Sequence, residues 1–223
     1  MSTLTTAPVK PLIDRLFAEN DATSSTSVPA VAALSVEERS RLMRSKSKTD
    51  YLLWYGRLKD LPLAVSRETG ALLYMLARGG VARTIVEFGT SFGISTLHLA
   101  AALRDNGGGR LITTEFEPSK VMRARNHLAA AGLGDLVEIR EGDALQTLRV
   151  DLPETIDLVL LDGAKALYPE VLSLVESRLR PGAFVVADNA DHSPEYVARV
   201  RSPANGYLST PFADDVEVSM RIS

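Results

Sequence analysis

The stretch TIVEFGTSFGIST, residues 84–96, decides how this chain is read. A β-branched apolar run, Thr84, Ile85 and Val86, ends in Glu87. Gly89 and Gly93 follow, and a helix-compatible run continues through Leu97, His98, Leu99 and Ala100. Strand, glycine turn and helix N-terminus in that order predict the first unit of a doubly wound α/β domain, whose ligand lies beyond the carboxyl end of the strand. Glycine at such a turn lets backbone approach a ligand with no Cβ in the way. The spacing is acidic-x-Gly-x-x-x-Gly, not the G-x-G-x-x-G of dinucleotide folds, and no basic side chain accompanies it to meet a pyrophosphate. A carboxylate at the strand end suits a cationic ligand better than a phosphate. A purely structural strand–turn–helix is the alternative.

Downstream, the alternation continues. A glycine-rich turn at 106–109 leads to a strand at 111–115, and Pro118 opens a helix to about Ala131. Further strands are predicted at 136–140, 157–162 and 184–188, with a short helical segment after Asp143 and a helix over 167–179. Pro181-Gly182 reads as the turn into the strand at 184–188. After a helix at 194–200, segments 207–210 and 216–222 form a hairpin around Asp214-Asp215. The expected fold is a mainly parallel, seven-stranded sheet with helices on both faces and a C-terminal antiparallel hairpin.

Upstream, residues 1–8 are polar and expected to fray. A helix over 11–20 places Leu12, Ile13, Leu16 and Phe17 on one face. The Ser- and Thr-rich run 21–29 reads as a connector, or else as a flap over an active site. Ser35 with Glu38 predicts a capping box and a basic helix to about Lys46, whose charges form a solvated face. A helix near 50–58 carries Tyr51, Leu52, Trp54 and Tyr55, read as core or subunit interface ahead of a substrate wall. Ser66 is the expected N-cap of a helix that Gly79-Gly80 stop. This divides the chain into an N-terminal helical extension, 1–60, and a main domain, 61–223.

With 223 residues, the chain is long enough for one domain with a sizeable core. A formal charge of -3 argues against a general nucleic-acid binder. There is no Cys, so disulfides and thiolate metal sites are excluded, and any metal must be held by oxygen or by histidine. The first residues lack the pattern of a secretory signal. No apolar run approaches the roughly 20 residues needed to span a bilayer, so a cytoplasmic protein with no membrane partner is expected.

Parallel strands end at one edge, so Glu87, Glu115, Asp162 and Asp188 are expected to converge on one rim. Such a cluster is costly without cations, which points to a cationic ligand, a metal, or both. Glu115, at the end of the second strand, is placed to accept the hydroxyls of a ribose, with Glu117 as its competitor. Asp162-Gly-Ala-Lys165 and Asp188-Asn189 offer two carboxylates and an amide oxygen, a hard site for Mg²⁺ or Ca²⁺. A lysine beside that cation is pushed toward the neutral form that a general base needs. The bland alternative pairs these acids with Lys165 on the surface. His98 and His127 read as packing or surface residues; His192 is either a helix-start residue or one that faces substrate.

These motifs resemble the cation-dependent, S-adenosylmethionine-using O-methyltransferases, the group that includes the catechol and caffeoyl-CoA enzymes. The segments that carry the resemblance are LAVS (63–66), VEFGTSFGIST (86–96), TTEFEP (113–118), EGDAL (141–145), LLDGAKALYPEVL (160–172), LRPGAFVVADNA (179–190) and DDVEVSMRI (214–222). The resemblance implies the Rossmann-like class I methyltransferase fold. It implies that Val65, Glu87, Gly89, Thr90 and Ser95 surround the methionine half of the cofactor, that Glu115 holds the ribose, and that Ala144 walls the adenine. It assigns Asp162 to both the cofactor site and the cation, with Asp188 and Asn189 as the other ligands and Lys165 as the base. It also implies a homodimer. Gly163 and Ala164 depart from relatives that carry a bulkier or aromatic residue there, against the adenine. Asp214 and Asp215 read as a hairpin turn rather than as the acid that, in the catechol enzymes, holds a second hydroxyl.

The function this implies is methyl transfer from S-adenosylmethionine to a hydroxyl of a catechol-like or vicinally dihydroxylated small molecule, assisted by Mg²⁺, with Ca²⁺ or Mn²⁺ as substitutes. Alternatives are a metal-independent methyltransferase acting on another nucleophile, a non-catalytic cofactor-binding protein, and an NAD-dependent oxidoreductase. The last is disfavoured by the glycine spacing and leaves Asp188-Asn189 without a role.

Overall fold

The computed structural model describes residues 2–24 and 28–223. Its strands are β1 (Thr84–Phe88), β2 (Arg110–Glu115), β3 (Val137–Glu141), β4 (Ile156–Leu161), β5 (Leu179–Ala187), β6 (Tyr207–Phe212) and β7 (Val216–Arg221). They form one seven-stranded sheet in the order β3-β2-β1-β4-β5-β7-β6. β1 to β5 run parallel, and β7 lies antiparallel between β5 and β6. The chain winds outward from β1 to β3, then returns to β4 on the other side of β1. The strand order therefore reverses between β1 and β4, which is where a doubly wound sheet opens a ligand crevice.

The helices are α1 (Val9–Asp21), α2 (Pro29–Ala32), α3 (Val36–Arg44), α4 (Lys48–Arg57), α5 (Arg67–Gly79), α6 (Ile94–Asp105), α7 (Pro118–Ala131), α8 (Ala144–Thr147), α9 (Tyr168–Val175) and α10 (Pro194–Arg201). Strand alternation divides the core between the two faces of the sheet. Ile85, Leu158 and Leu160 face one side, where Leu16 and Phe17 of α1, Leu73 of α5 and Leu97 of α6 cover them. Val86, Phe88, Val159 and Leu161 face the other side, against Tyr168, Val171 and Leu172 of α9. Each such side chain contributes about 1.5–3 kcal/mol by leaving water.

The N-terminal segment is tied down, not frayed. Thr3 donates its backbone N–H to both oxygens of Asp105 (3.1 and 3.0 Å), and the Tyr74 hydroxyl donates to the same carboxylate at 2.6 Å. The predicted run 21–29 overlaps helix at both ends, with Asp21 closing α1 and Pro29 opening α2, and residues 25–27 lie outside the described residues. The capping box forms: Ser35 Oγ accepts from Glu38 N at 3.1 Å, and Glu38 Oε2 accepts from Ser35 N at 2.9 Å. α2, α3 and α4 gather a small core of their own from Val31, Leu42, Trp54, Leu58 and Leu61.

Pro181-Gly182 is not a turn before a strand. β5 already begins at Leu179, pairs Leu179 with Ile156, and regains register at Phe184 opposite Leu158. Pro181 brings no N–H to the ladder, so the strand bulges there and continues. The predicted helix 167–179 is shorter: α9 ends at Val175 and a 3₁₀ turn, Glu176–Arg178, leads into β5. The first arm of the hairpin is longer than expected, running to Phe212, and the second ends one residue earlier, at Arg221, with residues 213–215 at the tip.

Candidate active site

A cavity of about 650 Å³ opens at the carboxyl ends of β1, β2, β4 and β5. Gly89, Glu115, Ala144, Asp162, Lys165, Asp188 and Asn189 all line it. Gly89 has φ +103°, and a Cβ there would stand 2.6 Å from the Asp162 carbonyl oxygen, so only glycine lets the ends of β1 and β4 come this close. The contact is reinforced by Asp162 N, which donates to Phe88 O at 2.8 Å. Asp188, just past β5, is held through its backbone: its N–H donates to Leu161 O at 3.0 Å, and its carbonyl accepts from the buried Tyr168 hydroxyl at 2.8 Å. Its side chain lines the cavity beside Asp162.

Asp162 and Asp188 place their carboxyl groups near one another on this wall, and Lys165 Nζ lies 2.7 Å from Asp162 Oδ1. Burial, then the negative charge of Asp162, pushes Asp188 well above the ordinary carboxylate range. Burial, the largest single influence, would lower Lys165, but Asp162, Tyr168, Tyr55 and Asp188 together outweigh it, and the net shift is well above the ordinary lysine value. Lys165 is therefore a charged ammonium here. Among the described residues, no trio of His, Cys, Asp and Glu is placed to hold a metal. The set on this wall is two carboxylates plus the Asn189 amide. It fits a hard divalent cation, because such an ion prefers oxygen donors and would offset the repulsion between two neighbouring carboxyls.

Glu115 lines the cavity with both oxygens engaged by backbone: Oε2 accepts from Ser91 N at 2.9 Å, and Oε1 from Phe116 N and Glu117 N at 2.9 and 3.0 Å. A carboxylate has about four acceptor positions, so one remains for a ligand hydroxyl. Val65, Gly89, Thr90 and Ser95 border a narrow crevice beside the cavity, adjoining Asp162. Glu87 is the exception to the convergence expected at the strand ends. It shares the face of Ile85, points under α6, and spends Oε1 on Ser95 Oγ and Oε2 on Thr96 Oγ1, both at 2.6 Å. It is fully buried and lines neither space. Strand alternation, with two hydroxyl residues at the start of the next helix, was the signal for this.

Several cavity residues had no ligand role in the sequence reading or a lesser one. Tyr51, Trp54 and Tyr55 of α4 form part of the wall, and Tyr51 packs in one cluster with Phe88, Ala144 and Ala164. The Tyr55 hydroxyl donates to Gly163 O at 3.3 Å. Aromatic side chains thus reach this wall from α4, beside the small Gly163-Ala164 pair. Lys120, buried on α7, donates to Ser91 Oγ at 3.0 Å; burial lowers its pKa against the opposing charge of Glu115. His192 lines the cavity, and its Nδ1 is buried with no partner among the described residues. His98 and His127 pack: their Nδ1 atoms contact Ile94 O and Phe92 O, both at 2.8 Å. At the cavity edge Lys48 of α4 pairs with Asp143 at 2.8 Å; nearby in sequence, Lys46 pairs with Glu195 at 2.7 Å and Glu170 at 3.4 Å.

A methyltransferase domain family matches residues 86–190. The chain is 37% identical over 130 residues to a catechol O-methyltransferase of Niastella koreensis, covering 57% of this chain and 58% of that one. It is 37% identical over 131 residues to a catechol O-methyltransferase of Mycobacterium tuberculosis, covering 58% and 59%. The match thus spans about three fifths of the length of these curated relatives. The O-methyltransferase TomG of Streptomyces achromogenes, involved in tomaymycin synthesis and solved in complex with SAM, superimposes with a TM-score of 0.63 at 30% identity, covering 92% of this chain and 99% of that one. This chain belongs to the S-adenosylmethionine-dependent O-methyltransferase family. Among the described residues, no helix is long and apolar enough to cross a membrane.

Proposed function

We propose that this protein transfers the methyl group of S-adenosylmethionine to a hydroxyl oxygen of a small, vicinally dihydroxylated aromatic acceptor, with a divalent cation, Mg²⁺ by preference, held by Asp162, Asp188 and Asn189. The observation that carries the reading is the meeting of Asp162, Lys165, Asp188 and Asn189 on the wall of the same cavity that Gly89 and Glu115 line. The catechol O-methyltransferase names of the two curated relatives support the acceptor class.

The sulfonium methyl group is already activated, so the protein's task is to orient and deprotonate the acceptor. Holding oxygen, methyl carbon and sulfur in line supplies much of the rate. Glu115 holds the ribose end of the donor, and its methionine end lies on the Gly89 side of the same cavity. A phenol with a pKa of about 10 is mostly protonated at neutral pH. When bound, a divalent cation supplies Lewis acidity that lowers this pKa and fixes the direction of the oxygen. Lys165, 2.7 Å from Asp162 Oδ1, is the residue that would accept the phenolic proton, and a cation held by Asp162 and Asp188 would favour the neutral amine this needs. Trp54 and Leu58 wall the acceptor ring, and His192 faces the same space.

The test is a screen of hydroxylated acceptors with S-adenosylmethionine, with and without Mg²⁺, read by mass. A product heavier by one CH₂, formed only with the cation, is expected; equal turnover in EDTA would favour the metal-independent alternative. A second expectation concerns α4. Tyr51→Ala opens the wall beside Ala144 and Ala164 and should weaken S-adenosylhomocysteine binding about tenfold, equivalent to about 1.4 kcal/mol, by calorimetry. Unchanged affinity would return Tyr51 to a packing role.

A further inference from the structure

Asn189 can serve a hard cation only through its amide oxygen, since the amide nitrogen carries two protons and donates. The two ends of the amide have nearly the same shape, so the partner on the far side decides which of them meets the ligand. That partner is Asp215, in the turn between β6 and β7: Asn189 Nδ2 donates to Asp215 Oδ2 at 2.6 Å. A carboxylate only accepts, so this contact keeps the nitrogen on the Asp215 side and leaves Oδ1 for the cavity that Asn189 lines. The pairing is fixed by a second contact, Ala190 N donating to Asp215 O at 2.7 Å. Asn189 itself has φ +47°, a left-handed conformation in which this two-point hold defines where its side chain points. Asp215 is not among the residues lining the cavity, and it leads directly into β7, whose Glu217 pairs with Ala187.

We infer that Asp215 is a positioning residue for the cation site, locking the Asn189 amide with its oxygen toward the cavity. This rests on the cation reading above. It gives the hairpin turn a task beyond reversing the chain: the antiparallel end of the sheet sets the direction of a ligand at the parallel end.

The experiment measures Mn²⁺ affinity of the full chain by the electron paramagnetic resonance signal of free Mn²⁺, with S-adenosylhomocysteine affinity and melting temperature as controls. Asp215→Ala is expected to weaken Mn²⁺ binding about tenfold or more, the scale for loss of an outer-shell partner. Asp215→Asn, whose amide oxygen can still accept from Nδ2, should stay within about threefold of wild type on the same scale. In Asn189→Asp both side-chain ends are oxygens and no orientation remains to be chosen, so adding Asp215→Ala to that variant should cause no further loss. The inference is overturned if Asp215→Ala leaves Mn²⁺ affinity unchanged, or if it costs as much in the Asn189→Asp background as in wild type. Wild-type protein that fails to bind Mn²⁺ would instead remove the cation reading itself, and this inference with it.

Discussion

Asp188→Ala is expected to abolish divalent-cation binding and to lower methyl transfer by about 10³-fold or more, corresponding to about 4 kcal/mol of lost activation. The size follows from what the substitution removes: one of two carboxylates in a three-donor set, leaving Asp162 already paired to Lys165 at 2.7 Å. The fold should not suffer. The contacts that position residue 188, from its N–H to Leu161 O and from the Tyr168 hydroxyl to its carbonyl, are backbone contacts that alanine keeps. Burial already disfavours the charged form of Asp188, so without cation its carboxyl adds little stability and in chelator the variant should melt no lower than wild type. S-adenosylhomocysteine affinity should change little. Turnover that survives the substitution, in EDTA as well as in Mg²⁺, would sink the cation-assisted mechanism while leaving family membership untouched.

The second large effect concerns Glu87 and stability. Burial raises its pKa to about 7, even though the hydroxyls of Ser95, Thr113 and Thr96 pull it down. Between about pH 4.5 and 7, the folded protein keeps a proton that the unfolded chain has released. Stability contributed at this site therefore falls as pH rises through that window, by about 3 kcal/mol in all. Glu87→Gln keeps the shape and an acceptor but never ionises. It should match wild type near pH 4.5 and exceed it by up to about 3 kcal/mol at pH 8 in urea denaturation. Parallel pH profiles for the two proteins would refute this. Because no Glu87 oxygen reaches the cavity, cofactor affinity should hold; a tenfold loss would restore Glu87 to ligand contact.

Much of this fold could be read from the chain because its signals are local. Thr84–Phe88 is the strand that its β-branched run predicts, and Pro118 and Gly132 bracket α7 as their backbone preferences require. The grouping of Asp162, Asp188 and Glu115 followed from parallel strands ending at one edge. What escaped depended on long-range partners. Pro181-Gly182 has turn chemistry, and only the presence of β4 alongside turns it into a bulge. Thr3 looks like any polar terminal residue until Asp105, at the end of α6, is brought beside it. The aromatic spacing of Tyr51, Trp54 and Tyr55 is that of an ordinary buried helix face. Nothing in that spacing says that a cavity lies on the other side.

The α3–α4 segment has a consequence for how the edge of the cavity responds to salt. It carries its own apolar cluster, and the ion pairs that Lys46 makes with Glu170 and Glu195, and Lys48 with Asp143, are about half exposed on the lysine side. Exposed pairs are worth about 0–1 kcal/mol each and weaken with salt. Salt should therefore loosen the Lys48–Asp143 seam at the cavity edge without freeing α4, because Tyr51, packed with Phe88 and Ala164, and the Tyr55 bond to Gly163 O still tie that helix to the sheet.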